Sequence, residues 1–150
     1  MEIKDLTTSL VNQKNNLSQL LDAALLKQKA LVKFDYAGLE DSILKEERAL
    51  SSVADGEKGR IKILTEIYQK HSISNKTYKL SEFIEHTKDL LDIKSKKQIA
   101  VTEKELKELI TRVSMVNQQN KFLIENSRAF IKETVSHILN ARRSLLDKKV

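Results

Sequence analysis

Apolar side chains recur three and four residues apart along almost the whole chain, a spacing that predicts a few long helices. In the first segment Ile3, Leu10, Leu17, Ala24 and Leu31 are seven apart. Leu6, Gln13, Leu20, Lys27 and Phe34 supply the second seam position of a heptad-like, knobs-into-holes pattern. Leu21, Leu25 and Val32 widen the stripe, as a helix facing two neighbours requires. A helix is expected over 2–34. In FDYAGLED, residues 34–41, Asp35 can cap and Gly38 can turn the chain. Leu39, Ile43, Leu44, Leu50 and Val53 then mark a second helix, expected over 39–70. Within it ADGEKGR, residues 54–60, holds two glycines and is a candidate kink or break.

The polar, aperiodic stretch HSISNKTYK, residues 71–79, reads as a loop. Leu80, Phe83, Ile84, Leu90 and Leu91 predict a third helix over 80–93, and a fourth is expected over 96–147. Two capping boxes, Ser95 with Gln98 and Thr102 with Glu105, either start this last helix or lie on one continuous helix. No breaker occurs from about 103 to 147, so the helix would be about 67 Å long. Such a length needs a long hairpin partner, a second subunit or a client. With the first two helices as internal neighbours, the expected fold is all-α. It is an elongated antiparallel helical bundle or coiled-coil hairpin with a long C-terminal helix, in a single domain over 1–150.

On the last helix, with Leu123 set at zero and about 100° per residue, the apolar arc is close to 180° wide. It holds Leu123, Ile124, Phe130, Ile131, Val135, Ile138, Leu139 and Leu145. A one-sided surface helix needs a stripe of roughly 100°. This face can therefore pack on two neighbours at once. Both neighbours are helices of this chain, or one is an amphipathic helix of a partner in helix-in-groove mode. The same projection puts Asn117 and Asn120 within the arc and turns Gln118 and Gln119 outwards. A buried Asn must be hydrogen-bonded, and an Asn in a seam fixes register. Asn117 and Asn120 are therefore expected to pin the register of the long hairpin, with Arg60, Gln13 and Asn16 as candidate partners.

Composition narrows the function. The chain has no Pro, Trp or Cys and three Gly, and it is rich in helix formers. Without Cys there is neither disulfide nor thiolate chemistry. The N-terminus has no apolar signal region and no run approaches a membrane span, so a soluble cytoplasmic protein without stable membrane insertion is expected. The net charge is +6, but Lys outnumbers Arg 21 to 6 and basic residues alternate with acids. That pattern fits solvated helix faces better than a nucleic-acid stripe with stacking aromatics. Only Arg142, Arg143, Lys148 and Lys149 form a tight basic end. His71, His86 and His137 are scattered, Glu133 and His137 lack a third metal ligand, and no phosphate-binding or nucleophile motif occurs. No catalytic residue, metal or cofactor is expected, and the chain does not read as an enzyme.

The order of these blocks resembles the FlgN family of flagellar type III export chaperones, over most of the chain. The blocks are LVNQKNNLSQLLDAALLKQKALV, then ILKEERALSSV with Leu44, Glu47, Arg60 and Leu64, then LSEFIEH. The most specific block is VSMVNQQNKFLIENSRAFI, where Asn117, Asn120, Leu123, Ile124 and Ser127 match the family's N-x-x-N-x-x-L-L/I-x-x-S stretch. The resemblance implies a cytoplasmic chaperone that binds a terminal amphipathic helix of hook–filament junction proteins through its C-terminal region. It also implies prevention of early assembly and presentation of clients to components of the flagellar export apparatus. The alternative from the residues themselves is a structural coiled-coil or adaptor protein that self-associates, as a homodimer, through its long helix.

Overall fold

Two tight reversals, neither built on glycine, set the path of the first half of the chain. The computed structural model describes residues 2–74 and 77–149, with the side chains of all of these except Ile131, Lys148 and Lys149. Four helices follow one another: α1 (Glu2–Lys33), α2 (Tyr36–Lys70), α3 (Leu80–His86) and α4 (Ile93–Lys149). α1 ends where Phe34 takes the left-handed conformation, φ 54°. The Asp35 N–H then donates to the Ala30 carbonyl at 2.9 Å and the Phe34 N–H to Leu31 at 3.4 Å, a Schellman arrangement. The Asp35 side chain accepts from the Gly38 N–H at 3.0 Å and so caps α2. Phe34 was expected in the α1 seam; it is instead the turn residue and is exposed. The end of α2 repeats the device with Ser72 at φ 53°. There the Ile73 N–H donates to Tyr68 at 2.9 Å, and Ile73 packs on the core.

α1 and α2 form an antiparallel hairpin tied along its length. The Gln13 side-chain amide donates to the Val53 carbonyl at 2.9 Å, and Lys27 meets Glu46 at 3.3 Å. At the far end Lys70 bonds Glu2 at 2.6 Å and holds that carboxyl below its usual range. α2 runs unbroken through 54–60, against the expected kink or break. Gly56 leaves room for the Gln13 side chain: a Cβ there would meet the Gln13 Oε1, and that amide would have to move aside. Nothing lies within 4 Å of a Cβ at Gly59.

α3 covers only 80–86, not 80–93. The Thr87 hydroxyl donates back to the Phe83 carbonyl at 2.6 Å, and the Leu90 and Leu91 N–H groups both turn to the Thr87 carbonyl. Leu91 is thereby drawn into the core and the chain reverses. Phe83 meets Tyr68 edge-on, 5.8 Å between centroids, and closes this end of the core. α4 starts at once: the Asp92 carboxylate accepts from the Ser95 N–H at 2.9 Å. Ser95, through side chain and backbone, holds the Asp92 carboxyl below its usual range. Neither Ser95 nor Thr102 opens a new helix; both lie inside one continuous α4.

α4 runs parallel to α1. Lys14 pairs with Glu105 at 2.7 Å, and Gln28 donates to Gln119 at 2.9 Å. Ile99, Leu106, Val113 and Asn120 are seven apart and buried, with Thr102 and Val116 buried between them. They close on Leu6, Leu10, Leu17 and Ala24 of α1. α1 packs against both α2 and α4, whereas no described α2 residue comes within 8 Å of α4 between Cα atoms. α1 is therefore the shared central helix. Its small residues Ala23, Ala24 and Ala30 are all buried.

Gly59→Ala should stabilise the fold by about 0.5–1 kcal/mol through helix propensity. Gly56→Ala should destabilise it by about 1 kcal/mol or more. The same propensity gain is there outweighed by displacing Gln13 from its bond to Val53, worth about 1 to 3 kcal/mol. Urea unfolding of the two variants should move the midpoint in opposite directions.

Candidate functional site: the uncovered arm of the long helix

α4 has 57 residues and α1 has 32. At 1.5 Å per residue these are about 85 Å and about 48 Å. Because the two run in parallel from the same end, α4 outlasts its neighbour. Its last hairpin contacts are at Gln119, Asn120 and the half-buried Leu123 and Ile124. From Arg128 to Asp147 every described side chain is exposed.

Asn120 marks the end of the covered part. It is 3 % exposed, and its side-chain amide donates to the Ala24 carbonyl of α1 at 2.9 Å. Its Oδ1 is buried without a partner. The expected register role thus has a geometric basis here, although the partner is a backbone carbonyl and not one of the side chains proposed. Gln13 and Asn16 are engaged with the Val53 and Ser52 carbonyls, and Arg60 with Glu57 and the Tyr78 carbonyl. Asn117 corrects the sequence reading: it is exposed and no hydrogen bond ties it to the bundle. It stands on the wall of a shallow depression floored by Leu17 and Leu20 of α1. The reason is architectural. α2 does not pack against α4, so among the described residues no helix covers the α4 edge carrying Ser114, Asn117 and Lys121.

The predicted face divides at this border. Leu123 and Ile124 are half-buried at the root of the arm. Phe130, Val135, Ile138, Leu139 and Leu145 are exposed, Phe130 by 66 % and Ile138 by 58 %. The Ile131 side chain lies outside the described ones. Apolar side chains in such a row, uncovered along more than four turns, are unusual for a monomer surface. Leu146 joins them.

Sequence reasoning missed the surroundings of the arm's root. Val32, Phe34 and Tyr36 at the hairpin tip are exposed by 60 %, 67 % and 74 %, and Phe122 on α4 is also exposed. Gln28, Val32, Phe122 and Leu123 line one shallow depression. Val32 and Phe34 had been assigned to the α1 stripe. The signal that could have separated them is Asp35 as a cap, because a cap at 35 places Phe34 outside both helices.

No helix among the described residues is long and apolar enough to cross a membrane. Among them no group of three His, Cys, Asp or Glu side chains could hold a metal ion.

Amide hydrogen exchange should separate the two parts of α4. Residues 128–147, lacking tertiary cover, should exchange faster than 99–120, on the order of a hundredfold or more. Asn120→Leu, close in shape, should hold or raise unfolding stability by up to about 2 kcal/mol, since it removes an orphaned buried oxygen. Asn117→Ala should stay within about 0.5 kcal/mol of the parent. Thermal unfolding monitored by circular dichroism checks both.

A sequence model of one protein family, described as FlgN protein, matches residues 1–145. No curated protein and no solved structure gives a significant match.

Proposed function

The chain belongs to the FlgN family of flagellar export chaperones, and on that premise we propose that the arm of α4 is its client seat. The client is a terminal amphipathic helix of a hook–filament junction protein, held in the cytoplasm before export. Its apolar stripe lies on Phe130, Val135, Ile138, Leu139 and Leu145. The observation that carries this reading is the length mismatch: α4 continues for more than five turns past the last residue that α1 can cover, and keeps its apolar side chains throughout.

Docking there hides the client stripe from the subunits it would otherwise assemble with. At roughly 25 cal/mol per Å², a few hundred Å² of apolar contact favours binding by several kcal/mol. The cost of ordering the client helix and its side chains reduces this to moderate affinity. Moderate affinity suits a chaperone that delivers its cargo to the export apparatus and must then let it go. The chaperone half of the interface is already helical, so most of the ordering cost falls on the client.

The competing reading is self-association through the same arm. The purified protein would then be an obligate dimer, and light scattering would find no monomer on dilution.

Val135→Asp and Ile138→Asp together should lower affinity for the terminal segment of a hook–filament junction protein by about a hundredfold or more. Both side chains are already exposed, so the unfolding midpoint should stay near that of the parent. Titration calorimetry and circular dichroism on the same preparation measure the two quantities. Loss of folding in this variant would place the arm in the core and end the proposal.

A further inference from the structure

The arm carries an excess of cations. In the body some cations are paired across or along the helices, among them Lys14 with Glu105, Lys27 with Glu46, Arg60 with Glu57 and Lys107 with Glu103, and others are solvated. From 128 to 147 the sequence carries Arg128, Lys132, Arg142 and Arg143 against two acids, Glu133 and Asp147. Among the described residues none of these four cations makes an ion pair. Arg128 and Lys132 are four apart, the spacing at which like charges on a helix repel.

Their placement is one-sided. With Leu123 at zero and about 100° per residue, Arg142 falls near 100° and Arg128 near 140°, within the apolar arc. Lys132 near 180° and Arg143 near 200° border that same edge, whereas Glu133 lies near 280° on the back. Arg128, Lys132 and Arg143 thus line one flank of the apolar stripe over about four turns, between Glu125 and Asp147 at its ends, and Arg142 sits within the stripe. The opposite flank, with Phe130, Thr134, His137 and Ala141, carries no carboxylate.

From this we infer the chemistry of the occupant, taking the arm as a docking face: it is an acidic amphipathic helix, with Asp or Glu along one flank of its apolar stripe. Carboxylates set opposite Arg128, Lys132, Arg142 and Arg143 would supply the partners that the chain itself withholds. A second copy of the arm is a poor occupant, because it brings the same excess of cations. The charged row also fixes the direction and face of the incoming helix, which an apolar stripe alone leaves free to slide.

The test uses the full chain and two synthetic amphipathic peptides of about 20 residues with the same Leu stripe. One carries Glu along a flank and the other Lys. The Glu peptide should bind at least about tenfold more tightly, and added NaCl should close the gap. In Arg128→Glu/Lys132→Glu/Arg143→Glu, which touches no residue of the packed body, the preference should reverse. Equal affinity of the two peptides overturns the charge assignment and leaves the docking face standing. Binding of neither peptide, with the arm helical by circular dichroism, overturns both. Vesicles of mixed phosphatidylcholine and phosphatidylglycerol complete the set. Tight vesicle binding without peptide discrimination would assign the cations to an anionic surface and overturn the inference.

Discussion

A helix of 57 residues cannot be covered by one of 32, and this mismatch governs the molecule. A centred α4 would share the excess between both ends of the hairpin. α4 instead starts beside the start of α1 and runs with it, as Lys14–Glu105 and Gln28–Gln119 require. All of the excess length therefore appears at one pole. The base has a dense core closed by Phe83, Tyr68 and Leu91. The other pole has an apolar hairpin tip and a bare apolar arm.

The body needs polar devices to keep this asymmetry in place. Leu-rich seams tolerate slippage by a heptad, because one Leu packs much like the next. Gln13 reaches the Val53 carbonyl past Gly56 and ties α1 to α2, and Asn120 reaches the Ala24 carbonyl and ties α4 to α1. The Oδ1 of Asn120 is left buried without a partner by that tie. A one-heptad slip would move about 10 Å of helix from cover to solvent, or the reverse.

Much of this was legible in the sequence, and the failures have identifiable physical causes. The long helices and their order follow from unbroken 3.6-residue periodicity. The heptad Ile99, Leu106, Val113 and Asn120 is visible once α4 is known to face one neighbour. A helical wheel gives direction but not what stands there: Asn117 and Asn120 share an arc, yet α1 covers one and nothing covers the other. The glycines of 54–60 looked like a break because composition does not reveal that Gln13 occupies the space a Cβ would need. The bounds of the third helix differ because Leu90 and Leu91 fit its period, whereas their N–H groups both turn to the Thr87 carbonyl and end the helix before them. On the arm, the breadth of the apolar face can be read from a helical wheel, whereas what covers that face cannot, because a wheel shows no neighbour.

The parallel pairing also bears on the order in which the chain can fold. α1 and α2 are neighbours in sequence and join by a short turn, so their contacts close small loops. The α1–α4 contacts close a loop of 91 residues at Gln28–Gln119 and 96 at Ala24–Asn120. Loop-closure entropy favours the hairpin first, and vectorial synthesis pushes the same way. α4 then docks on a template whose register is already set, zipping from its base toward Asn120. The arm follows the helices of the body in sequence, and folding of the body does not require the arm to be buried. The rest of the molecule can finish folding before its stickiest surface exists.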